Sequence, residues 1–177
     1  MDAYVITLTS MPESVALAAR CVDSGEKFGI SVKVFDAIDR NTADQVRLDR
    51  GLSLGALAEE FADPRAVIGC FMSMFLLWEK VRDSGVSAII LEHDAVFVGS
   101  LPESSLGDVV NLGKPSFGAF NEKKVPGVYS LFSKEGGYFP GTHGYYLTPT
   151  GAEKLILTAE KEGVHAADLF LCKSRFP

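Results

Sequence analysis

Glu92, His93 and Asp94 follow directly on the apolar run Ile89-Ile90-Leu91. Two carboxylates and an imidazole in a row suit a divalent cation, whose charge offsets the repulsion between the acids. A bound Mn²⁺ or Mg²⁺ can clamp a diphosphate and act as a Lewis acid where charge develops on a departing nucleotide. The plainer reading of the same tripeptide is a solvated loop that begins where a strand ends. In Gly141-Thr142-His143-Gly144 the glycines let backbone come close to a ligand, and the Thr142 hydroxyl and His143 imidazole offer contacts to a donor molecule or a metal. A purely structural role for His143 is equally open. Ser73 lies in an apolar stretch, where its hydroxyl either meets a ligand or bonds back to its own helix. Asp36 and Asp39 follow a second apolar run, and as strand-end acids could approach a ribose, as such acids do in other nucleotide folds. Lys123 and Lys124 read as part of a solvated loop, or as a lid reaching phosphates. Trp78, helically spaced with Met74 and Val81, reads as core rather than as a sugar-stacking platform.

These residues need a scaffold, and the hydrophobic pattern supplies one. Residues 4–8, 31–35 and 86–91 are short β-branched runs that predict strands; a further strand is expected at 116–120 and another at 144–148. Helices are expected at 12–24, 42–50, 53–61, 65–83, 102–112 and 149–162, with Pro12 and Pro149 near two of the starts and Gly85 stopping the longest. Residues 121–137 read as a mobile loop. Strand and helix alternate throughout, which argues for one α/β domain with a mainly parallel central sheet flanked by helices. In such sheets ligands bind beyond the carboxyl ends of strands, and Glu92-His93-Asp94 falls at that position. Tyr145 and Tyr146 alternate on their strand, so one is expected in the core and the other toward the cleft.

Composition bounds the rest. The chain has 177 residues, 47% of them hydrophobic and 23% charged, enough for a single packed core and too apolar for a disordered chain. Its 17 Lys and Arg against 23 Asp and Glu give a net charge of -6, which removes the basic field that nucleic acid or an anionic membrane requires. The apolar stretch from Ala66 to Trp78 is shorter than the roughly 20 residues of a spanning helix and reads as a buried core helix. Cys21, Cys70 and Cys172 are odd in number and form no C-x-x-C pair, so buried free thiols in a reducing compartment are expected. The first residues lack a basic, apolar leader pattern, and the cytoplasm is the expected location.

The segments Tyr4-Val-Ile-Thr-Leu8, Phe35-Asp-Ala-Ile-Asp39, Ile68-Gly-Cys-Phe-Met-Ser73, Leu76-Leu-Trp78, Ile89-Ile-Leu-Glu-His-Asp-Ala95 and Gly141-Thr-His-Gly-Tyr-Tyr-Leu147 occur in the order and approximate spacing of glycosyltransferase family 25. The chain resembles that family, which includes lipooligosaccharide and collagen-modifying galactosyltransferases, from Tyr4 to about Asp168. The resemblance implies one GT-A-like domain over residues 1–177, with room for a C-terminal extension beyond it. It further implies a UDP-hexose donor, galactose or glucose, and inverting transfer to the hydroxyl of a glycan acceptor, which if lipid-linked would bring the protein to a membrane surface. Asp94 matches the acidic position that would hold Mn²⁺ or Mg²⁺ and through it the diphosphate. Glu92 matches the first acid of the same motif, and His93 stands where the family usually carries a second Asp, one negative charge fewer. Thr7 and Ser73, with His143, fall on donor-side segments. Asp168, in Ala166-Ala-Asp168, resembles a late family Asp and is the expected catalytic base; otherwise it caps a short terminal helix.

Several positions depart from the family pattern. An arginine after the first strand is absent from Thr7-Leu-Thr-Ser-Met-Pro-Glu-Ser14, Val67 replaces a Glu, and Met74 replaces a His. These departures mark a divergent member and leave open a domain that binds a nucleotide-sugar or glycan without turnover. A nucleotidyltransferase using the same acids is the other rival, and no G-x-x-x-x-G-K-[ST] phosphate loop supports it.

Overall fold

The computed structural model describes residues 1–55, 61–101, 107–113 and 142–172. In chain order the elements are β1 (Asp2–Thr7), α1 (Pro12–Glu26), β2 (Val32–Asp36), α2 (Ala43–Asp49), α3 (Arg65–Ser84), β3 (Ala88–Glu92), β4 (Val109–Asn111), β5 (Gly144–Leu147), α4 (Pro149–Glu162) and α5 (Ala167–Phe170). The apolar runs expected to be strands at 4–8, 31–35, 86–91 and 144–148 become β1, β2, β3 and β5 with small shifts of boundary. Pro12 opens α1 and Pro149 opens α4, where the Thr148 side chain also accepts the Gly151 N–H. Gly85, at φ 66°, ends α3 in the left-handed conformation that a side chain would disfavour.

The sheet runs β2-β1-β3-β5-β4. β2 and β3 lie parallel to β1 on either side, whereas β5 is antiparallel to β3, and β4 to β5. The sheet is therefore mixed, which corrects the expectation of a mainly parallel one. The error has a physical source: strand direction depends on how a strand is reached, and the segment leading into β5 has no helix-strand pattern to fix it. The expected helix at 102–112 is corrected over 109–111, which form β4. Its β-branched Val109 and Val110 pair with Leu147 and Tyr146. The helix expected at 53–61 does not start at Ser53, whose carbonyl accepts the Val164 N–H at 2.9 Å and so holds the end of α4. Residues 56–60 and 102–106, the strand expected at 116–120 and the loop with Lys123 and Lys124 lie outside the described residues.

Helices cover both sheet faces. α1 packs its Ala18 and Cys21 on Ala3, Val5, Ile89 and Leu91, while α3 and α4 cover the other face through Phe71, Trp78, Ile90, Tyr145 and Leu155. Trp78 is core, as its spacing implies: it stacks on Phe170 with centroids 5.7 Å apart and donates its indole N–H to the Tyr145 hydroxyl at 2.8 Å. Tyr145 is buried and Tyr146 half-buried, the alternation expected. Among the described residues no helix is long and apolar enough to cross a membrane, and the Ala66–Trp78 stretch lies within α3.

The chain passes from β1 to β2 over the α1 face and from β2 to β3 over the α3 face, so the strand order reverses beside β1. A crevice opens at such a switch of direction. Register sets which residues border it: Thr7 pairs with Asp36, and Ile6 with Glu92. β5 runs the other way, so its beginning, at Gly144 opposite Leu91, brings Thr142 and His143 to the same edge.

Candidate functional site

Glu92, the last residue of β3, is tied to this edge through its backbone N–H, which donates to the His143 carbonyl at 3.1 Å. Its side chain meets the Thr142 hydroxyl at 2.5 Å, and the same hydroxyl lies 2.8 Å from the Asp168 carboxylate. A threonine hydroxyl carries one hydrogen and cannot donate to two carboxylates at once. The arrangement is satisfied when one acid keeps a proton, donates it to the threonine oxygen, and lets the threonine donate to the other. Burial pushes the Glu92 carboxyl above its ordinary range; the Thr142 hydrogen bond opposes this, the Asp168 and Asp94 charges add to it, and His143 works against it. Burial thus favours the proton on Glu92, while Asp168 is exposed.

Asp168 reaches this position because Phe170 is buried among Phe71 and Trp78, pinning the one-turn helix α5 and leaving Asp168 exposed. Ala166, not Asp168, occupies the N-cap position, so the capping alternative does not describe this residue.

The start of α3 forms the adjoining wall. Gly69 sits so close to the Ile38 carbonyl that a Cβ would lie 2.7 Å from its oxygen, and Ser73 fixes the same loop by accepting the Ile38 N–H at 2.8 Å. Ser73 also donates to the Gly69 carbonyl at 2.7 Å and is wholly buried. Its role here is to position the loop after β2, with no surface left for a ligand. Thr7 is likewise buried and donates to the Val5 carbonyl at 3.2 Å. Asp36 accepts the Thr9 hydroxyl at 2.6 Å, and Asp39 accepts from Asn41, so both acids brace turns at the strand ends.

Cys70 corrects the expectation of three buried thiols: Cys21 and Cys172 are buried, but Cys70 is exposed. It lies on α3 next to Gly69, in a recess where protein crowds the thiol even though solvent reaches it. That crowding, with the Glu92 and Asp168 carboxylates nearby, pushes its pKa up to about 12. Sequence reasoning missed Cys70 as a site residue, since nothing in an apolar helix marks which thiol faces a cleft.

The three residues read as metal ligands part company. Glu92 turns to Thr142, whereas His93 Nδ1 lies 3.2 Å from the Ser14 hydroxyl in the first turn of α1. Asp94 starts the segment that runs back along α1, where its carbonyl accepts from Arg20 at 3.2 Å and Phe97 N–H donates to Ser24 at 2.9 Å. Among the described residues no three His, Cys, Asp or Glu side chains converge as a metal site. As arranged among the described residues, Glu92, His93 and Asp94 do not fit a single cation. Ser14 was not singled out in the sequence, where a serine two residues after a proline looks like an ordinary helix start.

Among the described residues the buried His143 Nε2 has no hydrogen-bond partner, and its ring fills the space that a side chain at Gly113 would need. Lys123 and Lys124 fall outside the described residues.

Acids and hydroxyls thus collect at this edge, and comparison with known proteins gives the chain's family. The model of "Glycosyltransferase family 25 (LPS biosynthesis protein)" matches residues 1–105, more than half of the chain. The chain belongs to glycosyltransferase family 25. Its relatives include the mouse (Mus musculus) "Inactive glycosyltransferase 25 family member 3", 27% identical over 191 residues that cover 96% of this chain and 31% of the mouse protein. A "Glycosyltransferase 25 family member" of Aedes aegypti is 28% identical, covering 86% of this chain and 27% of its own length. "Procollagen galactosyltransferase 1" of Danio rerio is 24% identical over 80% of this chain and 26% of its own. The chain thus spans about a third or less of the curated relatives it matches. The family 25 match covers Glu92, His93 and Asp94; Thr142 and Asp168 lie beyond it.

Proposed function

We propose that this family 25 chain is a GT-A-like hexosyltransferase that moves galactose or glucose from a UDP-sugar to a glycan hydroxyl with inversion. The observation that carries this reading is the Thr142 hydroxyl, which joins Glu92 at the end of β3 to Asp168 on α5. In the reaction Asp168 takes the proton of the acceptor hydroxyl as that oxygen attacks the anomeric carbon from the face opposite the diphosphate. The upward shift of Glu92 favours its neutral form and so lessens the repulsion this edge offers to the diphosphate. Thr142 positions the two carboxyls against each other.

A second reading is binding of the nucleotide-sugar without turnover. It is favoured by the name "inactive" on the mouse relative and by the absence of converging metal ligands among the described residues. One experiment separates the two: UDP release from UDP-galactose and UDP-glucose, with and without Mn²⁺, by wild type and Asp168→Asn. Release by wild type that falls by about 10² to 10⁴ in the variant, with donor affinity kept, supports the transferase. Donor binding without release in either protein supports the binding domain, and pyrophosphate as the product would instead mark a nucleotidyltransferase.

A further inference from the structure

His93 has a geometry that its position in an acidic tripeptide hides. The Ser14 hydroxyl beside it is buried, with 1% of its surface exposed, and its oxygen already accepts the Leu8 N–H at 3.0 Å. The 3.2 Å contact to His93 Nδ1 fits either tautomer, but only with Nδ1 accepting does the buried Ser14 hydrogen gain a partner among the described residues. A neutral imidazole that accepts at Nδ1 carries its hydrogen on Nε2. Among the described residues His93 Nε2 has no hydrogen-bond partner and it is not buried, so in this tautomer it presents an N–H to solvent beside the ends of β1 and β3. A nitrogen that carries hydrogen has no lone pair for a metal, and the nitrogen with the lone pair is occupied by Ser14.

We infer that His93, its tautomer set by Ser14, is a hydrogen-bond donor to a phosphate oxygen of the nucleoside diphosphate, and not a metal ligand. This deepens the donor reading above and rests on it for the identity of the ligand. Two neighbours act in the same direction. Arg20, bonded to the Asp94 carbonyl, sets a positive charge beside the residue that follows His93. The first turn of α1, which holds Ser14, has no side-chain cap on its N–H groups. Against them stand the carboxylates of Asp94 and of Glu13 in that same turn, so the hydrogen bond from His93 has to be made at close range to count. The His93 contact to phosphate itself then needs no divalent cation.

The test begins with inorganic pyrophosphate, which needs no nucleotide pocket. Calorimetric titration in EDTA should show binding by wild type that weakens roughly tenfold in His93→Ala, the loss expected for one hydrogen bond to a charged group. His93→Gln, whose amide can still donate, should recover part of it. Histidine ¹⁵N shifts should show Nε2 protonated and Nδ1 accepting in wild type, and Ser14→Ala should remove that preference. Pyrophosphate binding that requires Mn²⁺, or that is the same in His93→Ala and wild type, overturns the inference. UDP and uridine form a second arm: His93→Ala should weaken UDP and leave uridine unchanged. Pyrophosphate bound through His93 while UDP and uridine both fail to bind would keep this inference and sink the UDP-sugar reading.

Discussion

Glu92 and Asp168 stand on two sides of one hydroxyl: Thr142 Oγ1 is 2.5 Å from the first and 2.8 Å from the second, although they are fifty and twenty-six positions away from it in the chain. Removing that hydroxyl while keeping the side-chain shape leaves two carboxyls facing each other with nothing between them. Thr142→Val should therefore lower UDP release from a UDP-sugar by about 10²-fold, the scale of a small misplacement of a reacting group. Thr142→Ser, which keeps the oxygen, should retain most of the activity. Equal loss in both variants would remove Thr142 from the site.

Glu92 sets a pH dependence whose sign follows from its environment. Burial, the first of its perturbations, raises its pKa in the folded state, so the folded protein holds this proton more tightly than the unfolded chain does. The stabilisation is complete below the ordinary glutamate pKa and is lost as pH rises through the raised folded value. Glu92→Gln, a permanent mimic of the protonated acid, cannot lose it. Thermal melts from acid to neutral pH should show Glu92→Gln gaining on wild type as pH rises. A gap that narrows with rising pH would contradict a raised Glu92.

Glu92 and Asp168 were legible in the sequence because their types and places carry information: an acid at the end of an Ile-Ile-Leu strand, and an acid after a helix in a family-like context. Ser14 and Cys70 were not, since their roles come from which way a helix faces once packed. The parallel half of the sheet was legible in its alternating strands and helices. The antiparallel half was not, because β4 has three residues and the direction of β5 is set by the path into it rather than by its composition. Thr7 and Ser73 show the reverse error. Their hydroxyls suit a ligand by type, yet both are consumed by backbone partners inside the fold.

Trp78 and Tyr145 give a stability prediction in the core. Tyr145→Phe leaves the buried Trp78 N–H without its acceptor at 2.8 Å. The cost is about 1–3 kcal/mol, the penalty for an unsatisfied buried donor. For a chain of this size each kcal/mol lowers Tm by about 2–4 °C. Denaturant melts of the variant should show a lower midpoint with an unchanged slope, since the surface exposed on unfolding is the same. An unchanged midpoint would mean that Trp78 finds another partner.

Cys70 reports on the electrostatics of the site without any substrate. Cys21 and Cys172 are buried, so brief alkylation of the native protein should modify one thiol, Cys70. The thiolate is the reactive form, and crowding by protein together with Glu92 and Asp168 holds the Cys70 pKa up to about 12, well above 9.0. Alkylation at pH 8 should therefore be slower than that of an ordinary exposed cysteine, despite the access. Asp168→Asn removes one of the two opposing charges, lowers the thiol pKa and should speed the reaction, with the pH-rate curve shifted to lower pH rather than raised uniformly. A uniform rise would signal a change in access instead. Ordinary reactivity in wild type would show that the acids do not act on this thiol, and with it that the recess around Glu92 and Asp168 is more open than the packing of α3 and α5 implies.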